Sequence, residues 1–130
     1  MAALASYGQA VIIDPKHPLA HRNMGNALWE IKEFPAALKS YELAIAATPN
    51  ESAPYYLRGN LLMEMKRYRE AVADFDAILR LDSRDARALA YRAVCWEQLG
   101  DAARSHADRE AARVIEPGSA EQARQRALEV

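Results

Sequence analysis

The chain has 130 residues, with 17 basic and 18 acidic side chains and a net charge of −1 at pH 7. This near balance gives no electrostatic reason to expect nucleic acid or an anionic membrane as a partner, because both favour a basic surface. The 5 glycines, 6 prolines and 1 cysteine stand among abundant Ala, Leu, Glu and Arg. No strand-like alternation persists, so we predict an all-α chain with no intrachain disulfide.

The first segment, MAALASYGQAVII, is apolar but does not have the form of a secretory signal peptide. It lacks a basic start, and Tyr7 and Gln9 interrupt its apolar run. We therefore predict a helix here, ended by Pro15. No run in the sequence approaches the roughly 18 apolar residues of a membrane span. Together with the single thiol, this favours a cytoplasmic protein with no membrane segment.

Three of the prolines and two Gly-Asn pairs recur at one interval. Pro15 and Pro49 are separated by 34 positions, and Pro117 follows Pro49 after two such intervals. Each proline ends an apolar-periodic segment, as a helix stop does. Gly25 and Gly59, each followed by Asn, are separated by the same interval. A fixed period between about 20 and 50 residues indicates stacked structural repeats.

Each 34-residue period divides into two apolar-periodic halves, which predicts a pair of helices. Gly100 suits the end of a helix, Pro35 suits a first turn, and Asp85 suits an N-cap. The breaks between the halves are short, so the two helices of a pair are expected to be antiparallel. The predicted helices cover about residues 18–31, 35–47, 53–65, 69–81, 86–99 and 102–115.

These residues resemble the tetratricopeptide repeat, whose pattern is W-x2-L-G-x2-Y, then A-x3-F, then P, in a unit of about 34 residues. The third copy departs from it, with Ala93 at the glycine position and Arg109 at the second aromatic position. In the first copy the pattern positions hold His21, Met24, Gly25, Leu28, Ala37, Tyr41 and Pro49. In the second they hold Tyr55, Arg58, Gly59, Leu62, Ala71, Phe75 and Ser83, and in the third Leu89, Arg92, Ala93, Trp96, Ser105, Arg109 and Pro117.

The resemblance implies an all-α fold, a right-handed superhelix (α-solenoid) of antiparallel helix pairs with a 34-residue period. It covers residues 1–130 as a single domain. Residues 1–17 resemble the second helix of a truncated repeat, and residues 120–130 resemble a terminal capping helix. The three repeats between them are expected at 18–51, 52–85 and 86–119.

The two repeated glycines acquire a packing role from the resemblance, because a small residue at this place lets paired helices approach closely. Without such a role, Gly costs a helix interior roughly 0.5–1 kcal/mol relative to Ala. Replacing Gly59 by Leu is therefore expected to overpack the helix pair and to destabilise the fold by about 1–3 kcal/mol.

In the family that the chain resembles, the first helix of each pair lines a concave face. Helical spacing around the glycines selects a surface of aromatic, amide and charged groups, which suits an extended or helical peptide of another protein. Asn26 and Asn60 would pair with the peptide backbone, and the chain would act as a scaffold or adaptor. The predicted peptide-binding residues are Arg22, Asn23, Asn26, Trp29, Tyr56, Asn60, Met63, Arg87, Tyr91 and Val94, with Glu30, Leu57, Glu64, Glu97 and Gln98 beside them.

Three alternatives stay open. In the first the face is merely solvated, and in the second the apolar face of the truncated first repeat docks on a second copy or on further sequence of a longer protein. The third comes from tetratricopeptide co-chaperones that hold the C-terminal carboxylate of a heat-shock chaperone. Arg22, Asn26 and Arg87 match three of the five positions of that clamp. Leu57 and Tyr91 stand at the other two, which would leave a carboxylate poorly held.

No constellation of catalytic or metal-binding residues is evident. His17 and His21 are four residues apart, but His17 precedes a proline and is expected outside the helix, while His21 falls at a packing position. Cys95 fits a small core residue, and Asp74 and Asp76 are expected to face solvent. We therefore expect neither a metal nor a cofactor, and no enzyme activity.

Overall fold

A computed structural model describes residues 17–115 of the chain. These residues form six α-helices and no strand. Every helix end lies within one residue of its predicted position, which confirms the all-α class and the division of each period into two helices. The helices are α1 (Pro18–Glu30), α2 (Phe34–Ala47), α3 (Ser52–Glu64), α4 (Tyr68–Leu81), α5 (Ala86–Gln98) and α6 (Ala102–Ile115).

Contacts divide the chain into two units, Met1–Leu61 and Leu62–Val130, with the division inside α3. In the first unit α1 packs against α2, and in the second unit α5 packs against both α4 and α6. Consecutive helices therefore pack as pairs, as predicted. The helices predicted within 1–17 and 120–130 lie outside the described residues, apart from His17. The surface expected to support self-association lies outside them as well.

The first helix of each pair ends in the same turn. Lys32, Lys66 and Gly100 have positive φ angles of 63°, 62° and 82°, and they follow one another at intervals of one period. At the first turn the amide of Lys32 donates to the carbonyl of Trp29 at 2.8 Å, and the next amide donates to the carbonyl of Leu28 at 2.8 Å. The same two bonds recur after α3 and α5. This is the Schellman arrangement, which satisfies the last carbonyls of a helix.

Side chains close the open amides at three helix starts. The Nδ1 atom of His17 accepts a hydrogen bond from the amide of Ala20 at 3.0 Å. The Oδ1 atom of Asp85 accepts one from the amide of Ala88 at 3.1 Å, and Asp101 caps α6 in the same way. These bonds confirm His17 outside the helix and Asp85 as an N-cap.

In the first unit, the backbone of α1 packs directly on an aromatic ring of α2. Tyr41 is fully buried, and so are Ala37 and Ala44 on the same face of α2. A Cβ atom added to Gly25 would lie 2.5 Å from Cε1 and 2.7 Å from Cδ1 of Tyr41. Only glycine allows this approach, which confirms the packing role of Gly25. Gly59 is also buried.

The second unit has a core of small and aliphatic residues between α5 and α6. Its buried members are Ala86, Leu89, Ala90 and Ala112. Cys95 is fully buried as well, as predicted for a core residue. Alanines in facing positions allow two helices to lie close together, so this pair needs no glycine at position 93.

A charged cluster joins α4, α5 and α6. Arg92 donates two hydrogen bonds to Asp108, at 2.7 and 2.8 Å, and one to Asp76 at 2.8 Å. The bonds to Asp108 are the largest cause of the raised pKa of Arg92, and the bond to Asp76 adds to them. Asp108 is 7% exposed, so its charge depends on Arg92 for compensation.

The expectation that Asp74 faces solvent is wrong. Asp74 is only 2% exposed. Helical spacing explains this burial, because Asp74 lies three residues after Ala71 and four residues before Ile78, on the buried face of α4. Asp76 lies off that face and is held by Arg92.

Candidate functional site

The predicted binding residues of the first unit lie on α1 and α3. Asn26 is exposed, and the other five are partly exposed. Amide, aromatic and guanidinium groups of α1 and α3 are therefore at least partly accessible to solvent. The partly exposed residues are Arg22, Asn23, Trp29, Tyr56 and Asn60.

Tyr41 brings two of the predicted residues together. Its Oη atom donates a hydrogen bond to Oδ1 of Asn26 at 2.5 Å. The Trp29 ring stands edge-on to the Tyr41 ring, with the centroids 6.3 Å apart and an interplanar angle of 76°. Burial raises the pKa of the Tyr41 hydroxyl, so at neutral pH this group is a hydrogen-bond donor.

The repeat pattern predicts Tyr41 as an aromatic position of a second helix, but it does not predict the bond to Asn26. The two residues are 15 positions apart and lie on different helices. A repeat pattern treats a second-helix aromatic and a surface amide as separate columns, so no spacing signal connects them. The hydroxyl itself was the available clue, because a buried tyrosine needs a hydrogen-bond partner.

The guanidinium group of Arg22 is only partly buried. Its Nε atom is buried and has no hydrogen-bond partner among residues 17–115. Arg22 as a whole is partly exposed, and it lies four residues before Asn26, one helical turn away on the same face. The cation and the amide therefore lie along one side of α1.

The predicted residues of the second unit differ in what they can contact. Arg87 is exposed and Met63 is partly exposed. Tyr91 stacks on Phe75, with the ring centroids 5.6 Å apart and 16° between the planes. Val94 is only 6% exposed, which makes it a packing residue with little surface for a ligand.

The third repeat replaces an aromatic core position with an ion pair. Arg109 stands two periods after Tyr41 in the sequence, and it forms a salt bridge with Glu97. Glu97, expected beside the binding residues, is therefore engaged within the α5–α6 pair. This pairing and the buried Ala93 account for the two departures of the third repeat from the pattern.

A cavity of about 410 Å³ lies at the turn between α5 and α6. The Arg104 guanidinium lies over the Trp96 ring, 4.9 Å from its centroid, and Arg69 lines the cavity from α4. None of the predicted binding residues lines it. The sequence pattern does not single out this cavity, because its walls come from three helices.

Cys95 and His21, two reactive side chains of the described region, are buried in the packing of their helices. Burial raises the pKa of the Cys95 thiol to about 12, so the thiol is protonated and unreactive at neutral pH. His21 is buried, at 2% exposure. Among residues 17–115, no three His, Cys, Asp or Glu side chains are grouped so that they could hold a metal ion. No helix in this range has the length and apolar character needed to cross a membrane.

Comparison with known proteins identifies this helical-repeat architecture. The family model described as tetratricopeptide repeat matches residues 1–52 and 56–120. These two matches cover most of the chain, so the chain belongs to the tetratricopeptide repeat family. A search of curated proteins finds no match.

Several solved structures share the fold at low sequence identity. A crystal structure of MamA protein superposes with a TM-score of 0.82 and 21% identity, over 91% of this chain and 64% of MamA. This chain therefore spans less than two thirds of that structure.

Two further structures are similar in length to this chain. The tetratricopeptide domain of Arabidopsis OM64 has a TM-score of 0.72 and 24% identity, covering 86% of this chain and 94% of that domain. The first tetratricopeptide domain of Spaghetti (RPAP3), bound to the HSP90 peptide SRMEEVD, has a TM-score of 0.73 and 19% identity, covering 90% and 97%. At these identities the likeness shows the fold alone.

Proposed function

We propose that the chain is a protein–protein interaction module that binds an extended or helical peptide segment along its first helices. The observation that carries this proposal is the exposure of predicted residues on α1 and α3: Asn26 is exposed, and Trp29 and Tyr56 stay partly exposed. Rigid aromatic side chains supply contact area at low entropic cost, and amides pair with a peptide backbone. The chain would act as a scaffold or adaptor and would carry out no chemistry of its own.

The family and its fold support this proposal. The RPAP3 domain that shares the fold was solved with a bound HSP90 peptide, so this architecture can hold a short peptide. The same comparison does not identify the peptide for this chain, because only 19% of the residues are identical. The partner is therefore defined by chemistry: a segment with apolar side chains for Trp29 and Tyr56, and polar backbone groups for the asparagines.

A peptide-library screen tests the proposed function. The full chain would be screened against random peptides, and the strongest binder would then be measured by calorimetry. We expect Tyr56→Ala and Asn60→Ala each to weaken binding by about threefold or more, because each removes a contact worth about 0.7 kcal/mol or more.

Glu42→Ala and Leu43→Ala are the matched controls, since both residues are exposed on α2, outside the predicted surface. Circular dichroism would show whether each variant keeps its fold. Equal losses in the α2 variants, or no loss in the α3 variants, would contradict the proposed surface.

The carboxylate-holding alternative needs one further comparison. The selected peptide would be tested with a free C-terminus and with a C-terminal amide. A clamp requires the free carboxylate, whereas a surface that binds along the peptide tolerates the amide. We expect the amidated peptide to bind, because two clamp positions are lost: Leu57 has no side-chain donor, and Tyr91 carries no positive charge.

A further inference from the structure

We propose that Tyr41 is a positioning residue that fixes the side-chain amide of Asn26, so that this amide turns its N–H donors outward and recognises an oxygen acceptor on a bound peptide. The inference rests on the proposed function, because it specifies what one residue of that surface binds. The acceptor is a carbonyl or carboxylate oxygen.

The orientation of the amide follows from the burial of the tyrosine. Tyr41 is fully buried, and the only hydrogen bond of its hydroxyl group among the described residues goes to Oδ1 of Asn26, at 2.5 Å. If the amide were flipped, its NH2 group would face Oη, and the phenolic proton would have no acceptor among residues 17–115. Leaving a buried donor unsatisfied is costly. Oδ1 therefore faces inward.

The outward half of the amide is then an NH2 group. Asn26 is exposed, and within residues 17–115 the only hydrogen bond of its side chain is the one from Tyr41. The two N–H donors of Nδ2 therefore remain for a ligand. Trp29, one helical turn further along α1, packs edge-on against the Tyr41 ring and restricts it to this position.

The second repeat lacks this device. The residue one period after Asn26 is Asn60, but the residue one period after Tyr41 is Phe75, which has no hydroxyl group. The amide of Asn60 therefore cannot be fixed in this way, and it can turn either its oxygen or its nitrogen toward a peptide. The two asparagines, expected as equivalent backbone contacts, differ in what they recognise.

The orientation can be tested without a ligand. In the full ¹⁵N-labelled chain, the side-chain amide signals of Asn26 and Asn60 would be compared between wild type and Tyr41→Phe. The substitution keeps the ring that packs on Gly25 and removes only the hydroxyl. We expect the Asn26 signals to shift and those of Asn60 to stay in place. An unchanged Asn26 signal would overturn the inference.

The role of the outward N–H donors of Asn26 is tested by measuring affinity for the peptide selected in the library screen. Asn26→Asp keeps an acceptor for Tyr41 and replaces both donors by an anionic oxygen, so affinity should fall at least about tenfold. Asn60→Asp should have a smaller effect. Equal losses for the two substitutions would argue against a difference between the repeats. Affinity for amidated and free-acid forms of the peptide then distinguishes a carbonyl from a C-terminal carboxylate as the acceptor.

The positioning role has its own signature in a double-mutant cycle. Tyr41→Phe should weaken binding by about three- to tenfold in the wild-type chain. In an Asn26→Ala chain the same substitution should cause no further loss of affinity, because Tyr41 acts only through that amide. Wild-type affinity in Tyr41→Phe, or additive losses, would refute the role. Failure of every peptide to bind the wild-type chain would contradict the proposed function instead, and the spectroscopic test would still decide the orientation.

Discussion

At the scale of single residues, Gly25 can pack on Tyr41 because glycine has no Cβ atom. Any side chain at position 25 places its Cβ 2.5 Å from a ring carbon of a fully buried tyrosine. Neither group can move easily, since one is helix backbone and the other is enclosed by the core. The glycine therefore defines how closely α1 and α2 approach.

We expect Gly25→Ala to destabilise the chain by about 1–3 kcal/mol, despite the better helix propensity of Ala, which would favour it by up to about 1 kcal/mol. Urea unfolding would measure the difference. Glu30→Ala, an exposed change on the same helix, is the control and should stay within about 0.5 kcal/mol of wild type. A Gly25→Ala chain as stable as wild type would contradict the close approach.

Single-residue environments were predictable where a periodic pattern carried the information. Gly25 was predicted as a packing residue because it lies in a repeat position, and Cys95 because it is a small residue within a helix, next to Trp96. The burial of Asp74 was missed, although its spacing from Ala71 and Ile78 is helical, because polarity was given more weight than periodicity. The bond from Tyr41 to Asn26 was missed because it depends on how two helices meet.

At the scale of helices and turns, the first helix of each pair is followed by a residue in the left-handed backbone conformation. Helix ends were predictable to within one residue, because prolines, a glycine and capping side chains mark them. The positive φ angles at Lys32 and Lys66 were not predicted. Lysine has no preference for this conformation, and the hydrogen bonds of the turn impose it.

The three turns provide a matched set of substitutions. We expect Lys66→Gly to stabilise the chain by up to about 1 kcal/mol, and Gly100→Ala to destabilise it by about 1–2 kcal/mol, because a Cβ atom disfavours the left-handed region. No atom lies within 4 Å of a Cβ built at Gly100, so this effect comes from the backbone alone. Thermal unfolding would compare the stabilities of the two variants with that of the wild-type chain. A neutral Gly100→Ala would show that the turn tolerates a side chain freely.

The charged cluster on α4, α5 and α6 yields a second prediction at this scale. Asp108→Asn should destabilise the chain by about 2–3 kcal/mol, since it weakens charge-assisted bonds to a largely buried guanidinium. Asp76→Asn is the control and should cost less than about 1 kcal/mol, because the Asp76 side chain is 40% exposed. Chemical denaturation of both variants tests this order. Equal losses of stability would contradict the larger contribution expected for Asp108.

At the scale of the whole molecule, two buried acids make the fold sensitive to alkali. Burial raises the pKa of Cys95 to about 12 and raises that of Tyr41 as well. In the unfolded chain the pKa of a thiol is about 8.5 and that of a phenol is about 10. Above about pH 9 the unfolded state therefore binds fewer protons than the native state, and stability falls as pH rises.

We expect the urea midpoint to decrease between about pH 8 and pH 10.5 for the wild-type chain. Tyr41→Phe removes one of the two groups and should make the decrease smaller. Tyr68→Phe, which removes a hydroxyl group at a partly exposed position, is the matched control. A slope that is identical in all three chains would show that the buried hydroxyl does not contribute.

The Arg92 cluster has a consequence for how the second unit opens. Since one guanidinium bonds carboxylates on the helices before and after its own, α6 cannot separate from α5 without exposing charges that also hold α4. Partial opening of the last helix is thereby penalised, and fluctuations that would otherwise spread inward from the C-terminal side become concerted. Amide hydrogen exchange in the middle of α4, α5 and α6 should then report a single opening free energy, the mark of one cooperative folding unit.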